Sequence, residues 1–165
     1  LGVVDQDVLC AGWLQDILED TDTSFDELFE KFGRRISTLI LSLTKTKLVI
    51  DTSDDSTLSL TKKRTVSKKQ RQKEYGIKIK ESEIDAKLIK LCDISTNLGN
   101  LKNQVISKTK KRRILKELRY YTVIIEKDLI QETRYPKANT LLETINENIK
   151  IQTQNINKNK KIKLK

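Results

Sequence analysis

The sequence predicts an all-α protein, and three observations lead there. Gly and Pro are scarce, with five and one in 165 residues, which disfavours a turn-rich β fold. Apolar residues recur at i, i+3, i+4 and i+7 in several segments, the period of a helix with one buried face. Ser24 and Glu27 stand three apart ahead of an apolar run, the pattern of a helix-starting capping box.

The first helix is expected over residues 7–20, with Asp5 and Asp7 at its positive N-terminal end. Val8, Leu9, Trp13, Leu14, Ile17 and Leu18 give it a broad apolar face, so it should be well buried. A turn at residues 21–23 leads to a second helix through Phe25, Leu28, Phe29 and Phe32, stopped by Gly33. Ile36, Leu39, Ile40 and Leu43 open the next. Residues 51–59 are rich in Ser, Thr and Asp and read as a surface loop, and residues 62–74 are strongly basic. Helices follow over residues 83–97, with Ile84, Leu88, Leu91 and Leu98 inward, and 110–132, with Ile114, Leu118, Tyr121, Ile125 and Leu129 inward. A loop over residues 100–109 joins them. Pro136 separates the second from a last helix over residues 138–149. Residues 151–165, rich in Lys, Asn and Gln without an apolar period, read as a basic disordered tail. One domain over residues 1–150 and this tail account for the chain.

Charge is unevenly spread. The net charge is +10, yet residues 1–30 hold nine acids and no base, while the remainder holds fourteen acids and thirty-three bases. An acidic patch beside a basic field suits joint binding of a metal ion and a polyphosphate. Codon bias in an AT-rich genome explains much of the Lys and Asn content, but not the acidic start. No His is present, which excludes Ser-His-Asp, Cys-His and His-zinc chemistry within these residues. Cys10 and Cys92 fall in apolar helical patterns and read as buried thiols of a reducing, cytoplasmic compartment. No apolar stretch approaches the length of a membrane span, and the chain begins on Leu1 rather than Met, so it reads as a fragment. The basic runs at 62–73 and 108–119 are read as solvated helix faces, with nucleic acid an unlikely partner because aromatics are few. Trp13 and Tyr75 are expected to pack rather than stack on bases.

Asp16, Glu19 and Asp20 are spaced so that one helix face would carry all three carboxylates, and Asp93 and Asn97 form a second i, i+4 pair in an apolar run. Spacing alone is also satisfied by an acidic helix end exposed to water. The wording of the two segments goes further. Residues 8–21, Val-Leu-Cys-Ala-Gly-Trp-Leu-Gln-Asp-Ile-Leu-Glu-Asp-Thr, and residues 86–98, Ala-Lys-Leu-Ile-Lys-Leu-Cys-Asp-Ile-Ser-Thr-Asn-Leu, resemble the two signatures of the RelA/SpoT-type HD-domain alarmone hydrolases. Residues 26–33 and Leu43-Thr44-Lys45 resemble the family's intervening pieces, and the likeness to small single-domain members covers roughly residues 3–130.

The resemblance implies an HD-domain helical bundle and a metal-dependent 3′-pyrophosphohydrolase acting on guanosine polyphosphates. Asp16 and Asp93 match metal ligands, usually of Mn²⁺; Glu19 and Asp20 match the acidic pair that orients or deprotonates water; Asn97 matches a residue touching the nucleotide. The departures are as informative. Gln15 stands where the family has the His of its His-Asp pair, Gly99 where a basic residue is frequent, and the family's other metal-binding His belongs to a helix that lies ahead of these residues. An amide oxygen at Gln15 ligates Mn²⁺ more weakly than imidazole. The expectation is an HD domain lacking its first helix, with weak or absent Mn²⁺ and impaired or absent hydrolysis, or else a nucleotide-binding pseudo-hydrolase.

Overall fold

Asp5 starts the first helix: its carboxylate accepts from the backbone N–H of Asp7 at 3.0 Å and of Val8 at 3.4 Å, so α1 spans Gln6–Leu14. The computed structural model describes residues 1–45 and 67–161, with side chains through residue 157. The expected loop at 51–59, the first bases of the 62–74 run and the last residues of the expected tail lie outside them. The helix expected to run to residue 20 breaks at Asp16 (φ −98°, ψ 0°), and a short α2, Ile17–Asp20, begins there. The Asp16 carbonyl accepts from the N–H groups of Glu19 and Asp20, both at 2.9 Å, while its side chain makes no capping bond. Three acids in five residues thus occupy a break and a separate turn, not one face of one helix.

The predicted capping box opens α3, Phe25–Leu43: Ser24 Oγ accepts from the Glu27 N–H at 3.2 Å, and Glu27 Oε2 accepts from the Ser24 N–H at 2.8 Å. Gly33 takes φ +76°, a left-handed value that a side chain resists, and kinks α3 between its two expected segments without a loop. Ser67 caps α4, Lys68–Glu81, which takes up part of the basic run read as a solvated helix face. Then come α5, Ile84–Asn103, and α6, Lys108–Ile130, capped by Ser107. The connecting loop is therefore shorter than expected, because α5 runs on past Leu98 to bury Leu101. Pro136 ends the turn before α7, Lys137–Lys161. Among the described residues there is no strand, and no helix is long and apolar enough to cross a membrane.

Helix α5 is the axis of the core. Leu88, Leu91 and Leu98 are buried as expected, with Ile84 only partly so and Ile94 buried besides, and α1, α3, α4, α6 and α7 all pack on it. Tyr75 packs as expected, buried with its ring edge-on to Tyr121 at 5.3 Å. Helix α1 does not meet its expectation: Val8 and Ala11 are buried, but Leu9 is 46% and Trp13 90% exposed. Its inner side meets α3 and α5, and no described element covers the other. The cysteines also differ from expectation, Cys10 being half-buried and Cys92 exposed.

The tail is the other correction. Residues 151–161 continue α7, Ile156 is buried, Gln152 Nε2 donates to the Leu98 carbonyl at 3.0 Å, and Arg112 donates to Asn157 at 3.1 Å. Ile145, Ile149 and Ile156 fall on one helical face, a period thinned by the Lys and Asn between them. Truncation after Lys150 should therefore cost about 2 kcal/mol, the worth of one buried Ile. Thermal unfolding should show a midpoint lower by roughly 4–8 °C; an unchanged midpoint would mean that the extension adds nothing to the core.

Candidate active site

The two signature segments meet. Gln15 and Asp16 at the α1–α2 break and Asp93 and Asn97 on α5 line one groove of about 680 Å³, although 77 positions separate the two aspartates. Trp13 and the exposed Cys92 lie on the same groove. On α5, Asp93 is fully engaged: Oδ2 accepts from Lys90 Nζ at 2.7 Å and Oδ1 from Asn97 Nδ2 at 2.6 Å. Lys90 is buried, its ammonium held over the rings of Tyr75 at 5.3 Å and Tyr121 at 5.5 Å.

A smaller recess of about 240 Å³ shares Asp93 and Asn97 with this groove and adds Lys45, Glu117 and Tyr121. These last three also line a recess of about 400 Å³, with Glu19, Lys68 and Arg71. A largely apolar groove carrying two aspartates thus adjoins, through shared lining residues, recesses that bear Lys45, Lys68 and Arg71. Glu19 borders the basic end, where its Oε1 accepts from the Lys45 backbone N–H at 2.7 Å and ties α2 to the end of α3. Asp20 is exposed, and no hydrogen bond to its side chain occurs among the described residues. Lys68 and Arg71 had been legible only as members of a basic run; their meeting with Glu19 depends on the packing of α4.

Partial desolvation raises the Asp16 carboxyl above its ordinary value, and the charges of Asp93, Glu19 and Asp20 add to this. A carboxyl whose folded pKa lies above the ordinary 3.8 weakens the fold at neutral pH, and that cost disappears as pH falls below 3.8. Asp16→Asn should therefore raise stability slightly near pH 7, by a few tenths of a kcal/mol because the group is largely solvated. The gain should vanish at around pH 3 in thermal melts. A loss at neutral pH would show that Asp16 has a stabilising partner.

The donor set tests poorly against a metal centre. Among the described residues no three Asp, Glu or Cys side chains come together closely enough to hold a metal ion. Gln15, Asp16 and Asp93 offer one amide and two carboxylates, and both oxygens of Asp93 already accept hydrogen bonds. A hard divalent ion such as Mn²⁺ takes about six oxygen ligands, so these three side chains alone would not complete its shell.

No family model matches the chain. Guanosine-3′,5′-bis(diphosphate) 3′-pyrophosphohydrolase MESH1 of Drosophila melanogaster is 34% identical over 113 residues, 67% of this chain and 53% of that protein. Its counterpart in Mus musculus is 34% identical over 100 residues, 61% of this chain and 46% of that protein. The Aquifex aeolicus guanosine-3′,5′-bis(diphosphate) 3′-pyrophosphohydrolase is 43% identical over 42 residues, 26% of this chain and 6% of that protein. Among solved structures, a metazoan orthologue of SpoT described as hydrolysing ppGpp superposes with a TM-score of 0.64 at 22% identity, over 87% of this chain and 69% of that one. The fold is an all-α helical bundle of the HD-domain type. More particularly, the chain is a homologue of the guanosine-3′,5′-bis(diphosphate) 3′-pyrophosphohydrolases, and it spans about half the length of the MESH1 proteins it matches.

Proposed function

We propose that this chain is a guanosine 3′,5′-bis(diphosphate) 3′-pyrophosphohydrolase domain that retains the nucleotide site and is impaired in hydrolysis. One observation carries the reading: Asp16, Asp93 and Asn97 share a groove, Asp93 and Asn97 also line a recess with Lys45, and Lys45 lines a further recess with Lys68 and Arg71. Tetraphosphate charge needs such cations, and Asn97 at the junction is the nucleotide contact. Glu19 and Asp20 are the acid pair that would orient or deprotonate water. Gln15, Asp16 and Asp93 are the residues left to meet Mn²⁺, weakly, since the set is short of a shell. Asp93 is instead neutralised by Lys90, so binding does not wait for metal.

The test is equilibrium binding of guanosine 3′,5′-bis(diphosphate), followed through the fluorescence of Trp13, the single tryptophan, at the groove. Saturable binding that survives a chelator and weakens about tenfold or more on Lys68→Ala/Arg71→Ala is the expected result. Binding of GDP and the bis(diphosphate) with equal affinity, or no binding of either, would overturn the assignment.

A further inference from the structure

A separate cluster of charges joins the starts of α1 and α5. Arg35, on α3 just past the Gly33 kink, reaches two helices with its two terminal nitrogens. Nη1 meets Asp5 at 2.8 Å and Asp7 at 3.2 Å, the cap and first turn of α1, while Nη2 meets Asp85 at 3.0 Å in the first turn of α5. Asp85 is buried at 3% exposure, and its second oxygen accepts from Tyr135 Oη at 2.9 Å and from Arg134 at 3.2 Å. The Arg35 guanidinium holds the Asp5 carboxyl below its ordinary range.

The two legs from this hub are of nearly equal length. Asp93 follows Asp85 by eight residues along α5, and Asp16 follows Asp7 by nine along α1 and its break. At about 1.5 Å per helical residue the α5 leg is about 12 Å, and the α1 leg, nine residues with a break near its end, is of similar length. One fork therefore pins the helices together at one end, and the two aspartates face the groove at the other. Besides this fork, α1 is held by the buried Val8 and Ala11 and by Cys10 and Leu14, partly buried against the core, all of them apolar contacts that leave its polar start to Arg35. Removing Arg35 would also leave Asp5, Asp7 and Asp85 repelling one another.

We propose that Arg35 is a positioning residue: by bridging α1 to Asp85 of α5 it sets the separation of Asp16 from Asp93 and so the width of the nucleotide groove. The nucleotide part rests on the proposed function; the positioning part does not. Lys in place of Arg35 keeps the charge but cannot fork to two helices.

The experiment compares the whole chain with Arg35→Lys and Arg35→Met by amide hydrogen exchange, Trp13 fluorescence anisotropy and titration with guanosine 3′,5′-bis(diphosphate). In both variants α1 amides should exchange about tenfold or more faster while α5 and α6 keep their protection. Trp13 anisotropy should fall and nucleotide affinity drop about tenfold. If Arg35→Lys leaves α1 exchange and Trp13 anisotropy unchanged, or all helices lose protection in parallel, the positioning role is refuted. If the parent chain binds no nucleotide, the proposed function fails, and the α1 exchange still decides the role of Arg35.

Discussion

Asp93→Ala should be among the most damaging single changes, lowering stability by about 3 kcal/mol as well as removing nucleotide binding. Lys90 is the reason. Its ammonium is buried, and Asp93 is its carboxylate partner at 2.7 Å. Removal leaves a buried charge with only two tyrosine faces. The cost sits at the lower end for a broken buried pair because the Asp93 side chain keeps 18% exposure. Differential scanning calorimetry should show a midpoint roughly 6–12 °C lower. The double variant Lys90→Met/Asp93→Ala should recover most of that loss, since an apolar pair of similar volume replaces the ion pair at little net cost. It should not recover nucleotide affinity. If Asp93→Ala melts with the parent, Lys90 is adequately solvated and the pair is not structural.

Gln15→His carries the second large effect. An imidazole nitrogen is a stronger Mn²⁺ donor than an amide oxygen, so calorimetric titration should show affinity raised by about tenfold or more. Turnover should stay well below ~1 s⁻¹, the low end of ordinary enzymes, because the set is still short and Asp93 remains shared with Lys90. Supplying a further imidazole, on the helix that carries it in the family, should then raise turnover more than the two changes do singly, since ligands of one ion act as a unit. Unchanged Mn²⁺ affinity in Gln15→His would show that this position does not face the ion.

The helices around the core were legible in proportion to their apolar period. In α5 and α6, Leu88, Leu91, Leu98, Leu118, Ile125 and Leu129 keep a 3.6-residue spacing, and those helices fall where that period places them. Helix α4 was legible only as a solvated basic face, without its bounds, because only Tyr75, Gly76 and Ile79 are buried among bases; Ser67 was the local clue to its start. Trp13 misled for the opposite reason, as period reports an apolar face and not whether another element covers it. The acidic residues were found through the wording of two segments, and the Lys90–Asp93 pair could have been read from its i, i+3 spacing. Arg35 and Asp85 could not, since their meeting spans 50 positions and depends on the kink at Gly33.

Release of pyrophosphate from guanosine 3′,5′-bis(diphosphate) by the purified chain, with bound metal determined on the same sample, tests the central claim most directly. The expected result is bound nucleotide, substoichiometric Mn²⁺ and turnover far below ~1 s⁻¹. Stoichiometric metal with turnover of ~1 s⁻¹ or more would contradict it, and would mean that Gln15, Asp16 and Asp93 suffice for a working centre.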